Sequence, residues 1–312
     1  MRHPAISRRS RPSASAARRP AGEPDPVTSS TEPRTAAGGL VRVYPATAPN
    51  GTGLVWAHGG GFAAGDLDMP EADAVSRALA AAGTTVVSVD YRLAPPPAEW
   101  AAGMGVAPRG GDVFPAASDD VLAAWTWTLA HAATLGIDPA RLALGGASAG
   151  ANLVTGAVLR MPGAGVAAPA LLVLAYPTLL AVQPEPDAAL RRALDADPDA
   201  DRFGPDVVRG MYENYLGGPV DDAPLAAVPG LATAADLAGF PSILMINGDV
   251  DELRVSGEVF AASLAAAGRP VEVVVEPGTT HGHLNRPDEP AFARSLSRIT
   301  HALTSLQTRR TP

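Results

Sequence analysis

The stretch Arg141-Leu142-Ala143-Leu144-Gly145-Gly146-Ala147-Ser148-Ala149-Gly150 decides how the chain is read. Arg141–Gly145 is a short apolar run suited to a buried strand, and a helical pattern opens near Ala149. Gly146 to Gly150 spell G-x-S-x-G between them. In a strand–turn–helix setting this is a nucleophile elbow: the serine takes a strained backbone, and its flanking glycines let strand and helix pass closely. A Gly-rich turn with Ser148 as an ordinary helix N-cap is the plainer alternative. Deciding between them requires a base, an orienting acid and N–H donors for an oxyanion elsewhere in the chain.

Outward from the elbow, apolar runs alternate with helical patterns and no internal repeat is evident. Strands are expected over Leu40–Tyr44, Gly53–Ala57, Thr84–Asp90, Arg141–Gly145, Ala170–Ala175, Ser242–Asn247 and Val271–Val275. Helices are expected over about 70–82, 118–134, 149–160, 205–215, 254–267 and 289–306. This alternation implies an α/β fold, a mostly parallel central sheet with helices on both faces, and ligands at the carboxyl ends of the strands. Two stretches break it. Residues 96–113 are a Pro/Gly/Ala-rich loop holding Glu99 and Trp100. Residues 178–232 carry several prolines, an Asp-rich run from Asp195 to Asp201 and a short helix bearing Phe203, Met211, Tyr212, Tyr215 and Leu216, and read as an inserted lid or cap.

The partners for Ser148 are present. His58-Gly59-Gly60-Gly61-Phe62 directly follows the strand Gly53–Ala57, and consecutive glycines bring backbone N–H groups close to a ligand where negative charge develops. It has neither the spacing nor the following helix of a phosphate-binding turn. His281 and His283, in Thr279-Thr280-His281-Gly282-His283 after the last strand, are the candidate bases, and Gly282 frees the backbone to present His281. Asp249, Asp251 and Glu252 follow the strand Ser242–Asn247. Asp249 has Glu252 three residues on and reads as a capping box for the helix at 254–267, which leaves Asp251 as the orienting carboxylate.

Composition removes the rivals. The 312 residues include no cysteine, and all 24 basic residues are arginine. Disulfides, thiolate nucleophiles, Cys-ligated metals, Schiff bases and the Walker lysine are thereby excluded. Net charge is −8, with seven arginines against three acids in residues 1–35 and the balance of −12 in the body, so nucleic acid is not an expected partner. Residues 1–38 are expected to be a disordered Arg/Pro/Ala-rich tail, or to reflect a start codon assigned too early. Arg8-Arg9 imitates a twin-arginine pair, but no apolar region follows, and a cytoplasmic location is expected. The uncharged stretch Gly165 to Val182 is interrupted by Pro169 and Pro177 and fits a central strand better than a membrane helix. His131 and His301 lie in patterned helices and read as surface or core residues. Trp125 and Trp127, two apart on one helix, form no stacking platform, and the Asp195–Asp201 run lacks the spacing of a calcium loop.

Taken together these residues resemble the hormone-sensitive-lipase-like esterases, an α/β-hydrolase family, over about residues 40–306. The H-G-G-G loop and the elbow are joined by Val86-Val87-Ser88-Val89-Asp90-Tyr91-Arg92-Leu93-Ala94-Pro95, by Phe114-Pro115-Ala116-Ala117 with Asp119-Asp120, by Asp251-Glu252-Leu253-Arg254 and by His281-Gly282. The resemblance implies Ser148 as nucleophile, His281 as base, Asp251 as its orienter, and oxyanion donors at Gly60, Gly61 and Ala149, with no metal or cofactor. His58 and Phe62 are then expected to hold the loop and line the pocket. Three departures stand out: Ala147 where the family often has an acid, the insertion at 96–113, and little helical pattern in residues 1–39. The expected protein is one α/β-hydrolase domain over 39–308, with 178–232 as its lid. It is expected to be a serine esterase for short-to-medium acyl esters, with no membrane partner and with a homodimer through the edge strand Val271–Val275 as a fold-level analogy. A non-catalytic ligand-binding member of the fold, and an amidase or peptidase with the same triad, are the alternatives.

Overall fold

Valine- and leucine-rich runs become the strands of one eight-stranded sheet in the computed structural model of the chain, which describes residues 32–98 and 109–306. The strands are β1 Arg34–Ala36, β2 Val41–Tyr44, β3 Gly53–Ala57, β4 Thr85–Val89, β5 Leu142–Ala147, β6 Leu171–Ala175, β7 Ser242–Val250 and β8 Val271–Thr280, in the order β1-β2-β4-β3-β5-β6-β7-β8. β1 and β2 are antiparallel to their neighbours, and from β4 onward every pairing is parallel. The helices are α1 Asp73–Ala81, α2 Ala116–His131, α3 Ala149–Ala164, α4 Ala188–Ala196, α5 Pro205–Leu216, α6 Arg254–Ala266 and α7 Pro290–Ser305.

Alternate residues of each strand feed opposite cores, as the pleat requires. Val55, Val87, Leu144 and Leu172 pack with Val121 and Trp125 of α2, Leu153 of α3 and Phe260 of α6. Leu54, Val86, Val173 and Leu244 pack on the other face with Val75 and Leu79 of α1 and Leu296 and Ile299 of α7. Both faces of the central strands are covered, so β3, β4, β5 and β6 read as largely apolar runs without polar alternation. In the register Ala57 lies beside Gly146 and Ala147 beside Ala175, so the carboxyl ends of β3, β5 and β6 finish together. Among the described residues no helix is long and apolar enough to cross a membrane, and Leu171–Ala175 within the uncharged stretch is the central strand β6.

The structure departs from expectation in three places. Ordered chain begins before residue 39: Arg34–Ala36 pair with Val41–Val43 because Gly38 (φ 65°) and Gly39 (φ 99°) turn the chain back on itself. Residues 1–31 of the expected tail lie outside the described residues, as do Glu99 and Trp100 within 99–108, and residues 307–308. Within 178–232 an extra helix, α4, forms. Asp187 caps it by accepting from the N–H groups of Ala189 and Leu190 at 2.8 Å each, and Leu190 and Leu194, four residues apart, bury their side chains beside Val255. Finally, β7 and β8 extend to Val250 and Thr280, past the expected ends at Asn247 and Val275, because they continue to pair with each other across a bulge near Gly248.

The inserted segment packs closely on α3. A Cβ added at Gly156 would lie 2.0 Å from the carbonyl oxygen of Ala226, whereas one at Gly163, in the same helix, would meet nothing within 4 Å. Gly156→Ala should therefore lose about 1–3 kcal/mol to overpacking. Gly163→Ala should be neutral or gain up to about 1 kcal/mol. Urea unfolding of both variants checks this, and equal midpoints would mean that residues 224–230 do not seat on α3.

Candidate active site

Ser148 stands between β5 and α3 with φ 52° and ψ −119°, a backbone conformation that non-glycine residues rarely adopt. Its N–H donates to Ala175 O on β6 at 2.9 Å. A Cβ at Gly150 would lie 2.2 Å from Ala57 O, and one at Gly146 would lie 2.6 Å from the Gly150 carbonyl. Both glycines are thus demanded by close backbone approach. Although Ser148 occupies the N-cap position of α3, its side chain makes no capping bond. The hydroxyl instead meets Nε2 of His281 at 2.9 Å, and Nδ1 of His281 meets Oδ2 of Asp251 at 2.8 Å.

These two partners arrive from the ends of β7 and β8. Asp251 is fully buried and uses Oδ1 to accept the N–H of Leu253 at 3.0 Å, which fixes the carboxylate plane. With Nδ1 donating to Asp251, Nε2 of His281 is an acceptor for the Ser148 hydroxyl. Gly282 has φ 74°, the left-handed turn that lets the chain present His281 and then dive inward. His283, the competing histidine, goes the other way. It is fully buried with Nε2 2.8 Å from Ser295 Oγ, and burial lowers its pKa to about 4. Asp249 caps no helix, contrary to expectation. Its Oδ2 accepts the N–H of Gly278 at 2.9 Å, tying β7 to β8, and Leu253 stands at the N-cap of α6 without a side-chain bond.

Facing Ser148 is the loop after β3. Gly60 (φ 115°) and Gly61 (φ 57°) make a turn so tight that a Cβ at Gly60 would lie 2.1 Å from Ala64 O. Among the described residues, none of the turn, loop or cap hydrogen bonds draws on the N–H groups of Gly60, Gly61 or Ala149. Ala149 is the first residue of α3, where an N–H has no partner within the helix and the helix dipole favours negative charge. His58 is buried behind the loop and stacks on Tyr91 at 4.5 Å, while Tyr91 donates to His58 O at 2.8 Å. Burial lowers the His58 pKa, so it packs as a neutral ring. Phe62 stacks on Tyr215 of the inserted segment with centroids 4.0 Å apart.

No motif or spacing marks Glu71. It is completely buried, accepts the N–H of Gly59 and the hydroxyl of Tyr176, and exchanges hydrogen bonds with Asn285: its Oε2 accepts the Asn285 amide at 3.1 Å and its N–H donates to Asn285 Oδ1 at 3.2 Å. Burial raises its pKa, and the donors from Tyr176, Gly59 and Asn285 pull the other way by favouring the carboxylate. Glu71 thereby ties the glycine loop to Tyr176 and Asn285 beside Ser148. Tyr176 also sets its ring edge-on to His281 at 5.0 Å, and Phe203 does so at 4.6 Å. The only signal for these residues was their type, since their partners lie up to 214 positions away.

Comparison with known proteins gives a consistent picture. A family model described as the alpha/beta hydrolase fold matches residues 106–285, and a second, BD-FAE, matches residues 44–161. The chain is 37% identical to carboxylesterase NlhH of Mycobacterium tuberculosis over 78% of this chain and 71% of that one. It is 34% identical to an ethyl acetate hydrolase of Pseudomonas putida over 74% of this chain and 65% of that one. Among solved structures, a hyperthermophilic esterase from Pyrobaculum calidifontis superposes with a TM-score of 0.72 at 30% identity, covering 88% of this chain and 85% of that one.

The buried His283 makes stability depend on pH. Its folded value of about 4 lies below the ordinary 6.5, so between the two the unfolded chain binds a proton that the folded chain does not. The stability it leaves intact is full above about pH 6.5 and is lost as pH falls toward 4, by about 2 kcal/mol at pH 5. In His283→Gln the drop in unfolding free energy between pH 7 and pH 5 should shrink by that amount. Identical drops in the two proteins would show that His283 is not held neutral.

Proposed function

This chain belongs to the α/β-hydrolase family and is a serine carboxylic ester hydrolase, and from that premise we propose that Ser148 is its nucleophile, His281 its general base and acid, and Asp251 the orienter of His281. The proposed substrates are small esters with short-to-medium acyl groups, and the relative named as an ethyl acetate hydrolase supports that class. The observation that carries the proposal is the unbroken chain from Asp251 through His281 to Ser148, at 2.8 and 2.9 Å, beside N–H groups on which no turn, loop or cap hydrogen bond draws among the described residues.

Nε2 takes the Ser148 proton as Oγ attacks the ester carbonyl. The charge that develops on the carbonyl oxygen faces the N–H groups of Gly60, Gly61 and Ala149, and each such donor is worth about 10²–10³ in rate. Asp251 stabilises the imidazolium without taking its proton. The imidazolium then protonates the leaving alcohol, an acyl group remains on Ser148, and a water deprotonated by Nε2 releases the acid. Glu71 and Tyr91 hold the glycine loop in the geometry that these donors need, without contact with the reacting atoms. The segment 178–232 serves as the lid, because Tyr212 and Tyr215 of α5 meet Phe62 at 5.4 and 4.0 Å next to that loop. A homodimer through β8 belongs to the same proposal: this strand ends the sheet and exposes Val273 and Val275. A monomer in sedimentation velocity at micromolar concentration would remove that part alone.

Ser148→Ala should lower hydrolysis of p-nitrophenyl acetate and butyrate by about 10⁴–10⁶-fold with the fold intact. An organophosphate should label the unsubstituted chain at Ser148 and leave the variant unlabelled. Turnover retained in the variant would move the nucleophile elsewhere.

A further inference from the structure

Asp251 and Glu252 are consecutive, and only the first is accounted for by the triad. Glu252, largely buried, turns toward the inserted segment, where its Oε2 accepts the backbone N–H of Phe203. The Asp201 side chain neighbours the same carboxyl, and burial together with that neighbour raises the Glu252 pKa. Asp201 is held on its other side by Arg191 of α4 at 2.5 Å, and Arg191 also grips Asp195 at 2.8 Å. Phe203 O accepts from Gln183 Nε2 at 3.2 Å. The linker between α4 and α5 is therefore pinned on both sides of Phe203.

What is pinned is a half-buried aromatic ring against the imidazole. The Phe203 centroid lies 4.6 Å from that of His281 at an interplanar angle of 63°, with the Arg202 guanidinium 5.7 Å over the ring. On the proposed mechanism, Nε2 of His281 delivers its proton to the leaving oxygen and must come within about 3 Å of it. The carbon substituents on that oxygen leave past the groups that border the imidazole. The acyl half is placed differently, by Ser148 Oγ and the N–H donors of the glycine loop. Phe203 thus borders the alcohol half of the ester.

We infer that Phe203 is a specificity-determining residue for the alcohol half of the ester, and that Glu252 is the positioning residue that holds it against His281. This rests on the proposed roles of Ser148 and His281. Bulky secondary alcohols are disfavoured while the ring is held, and freeing or shrinking it admits them.

The test uses the full chain and two ester pairs, compared by kcat/KM because alcohol departs in the acylation step that this constant reports. Ethyl and cyclohexyl butyrate vary the alcohol, and ethyl acetate and ethyl hexanoate vary the acid. Phe203→Ala should shift the ethyl-to-cyclohexyl ratio toward cyclohexyl by about tenfold or more. The acetate-to-hexanoate ratio should stay within about twofold. Phe203→Leu, a gentler change should the alanine variant fail to fold, should shift the alcohol ratio in the same direction. Glu252→Ala should reproduce the shift. Glu252→Gln should restore the original ratio, since an amide can accept from Phe203 N–H and donate to Asp201. An unchanged alcohol ratio in folded, active Phe203 variants, or a shift confined to the acid pair, overturns the inference while leaving the esterase mechanism standing. Loss of hydrolysis of all four esters in the unsubstituted chain overturns both.

Discussion

One backbone crossing constrains everything else at this site: the first turn of α3 passes so close to the end of β3 that no side chain fits at Gly150. A chain leaving β5 can enter α3 there only by placing a single residue in a conformation with positive φ, at a cost of about 1–3 kcal/mol. That residue is Ser148, and its hydroxyl is consequently pushed clear of the backbone. The bond from its N–H to Ala175 O spreads the strain into the sheet, so the register between β5 and β6 also sets where the hydroxyl stands. His281, Asp251 and the glycine loop are then arranged around a fixed point, which lets their own loops be built from ordinary turns.

The fold was legible wherever one face or both faces of an element were buried in a regular pattern. β3 to β7 and the long helices carry that pattern over five or more residues. β1, three residues long, carries none, and its existence depends on a turn at Gly38-Gly39 whose purpose is visible only once β2 has a place in the sheet. The elbow, the glycine loop and the His281-Gly282 turn were legible because each needs glycine for a local backbone reason. Glu71 was illegible because its partners Gly59, Tyr176 and Asn285 come from the connections after three different strands, and no spacing encodes that meeting.

The end of β7 and the turn after it show the same limit within four residues. Asp249, Asp251 and Glu252 are chemically near-equivalent on paper, yet one joins two strands, one orients an imidazole and one holds the inserted segment. The spacing of Asp249 and Glu252 suited a capping box, but the extension of β7 to Val250 moved Asp249 into the sheet before any helix could begin. Which carboxylate does which job is set by how far the strand runs, and that is a property of its pairing with β8.

The order of the sheet also bears on how the chain comes off the ribosome. Ser148 is made 133 residues before the histidine it bonds, and β7 and β8 add in sequence at the far edge of the sheet. A nascent chain can complete β1 to β6 and the elbow while the hydroxyl still has no base beside it. On the proposed roles of Ser148 and His281, nucleophilic power switches on only with the docking of the last strand, and an unfinished molecule is chemically silent rather than a stray acyltransferase.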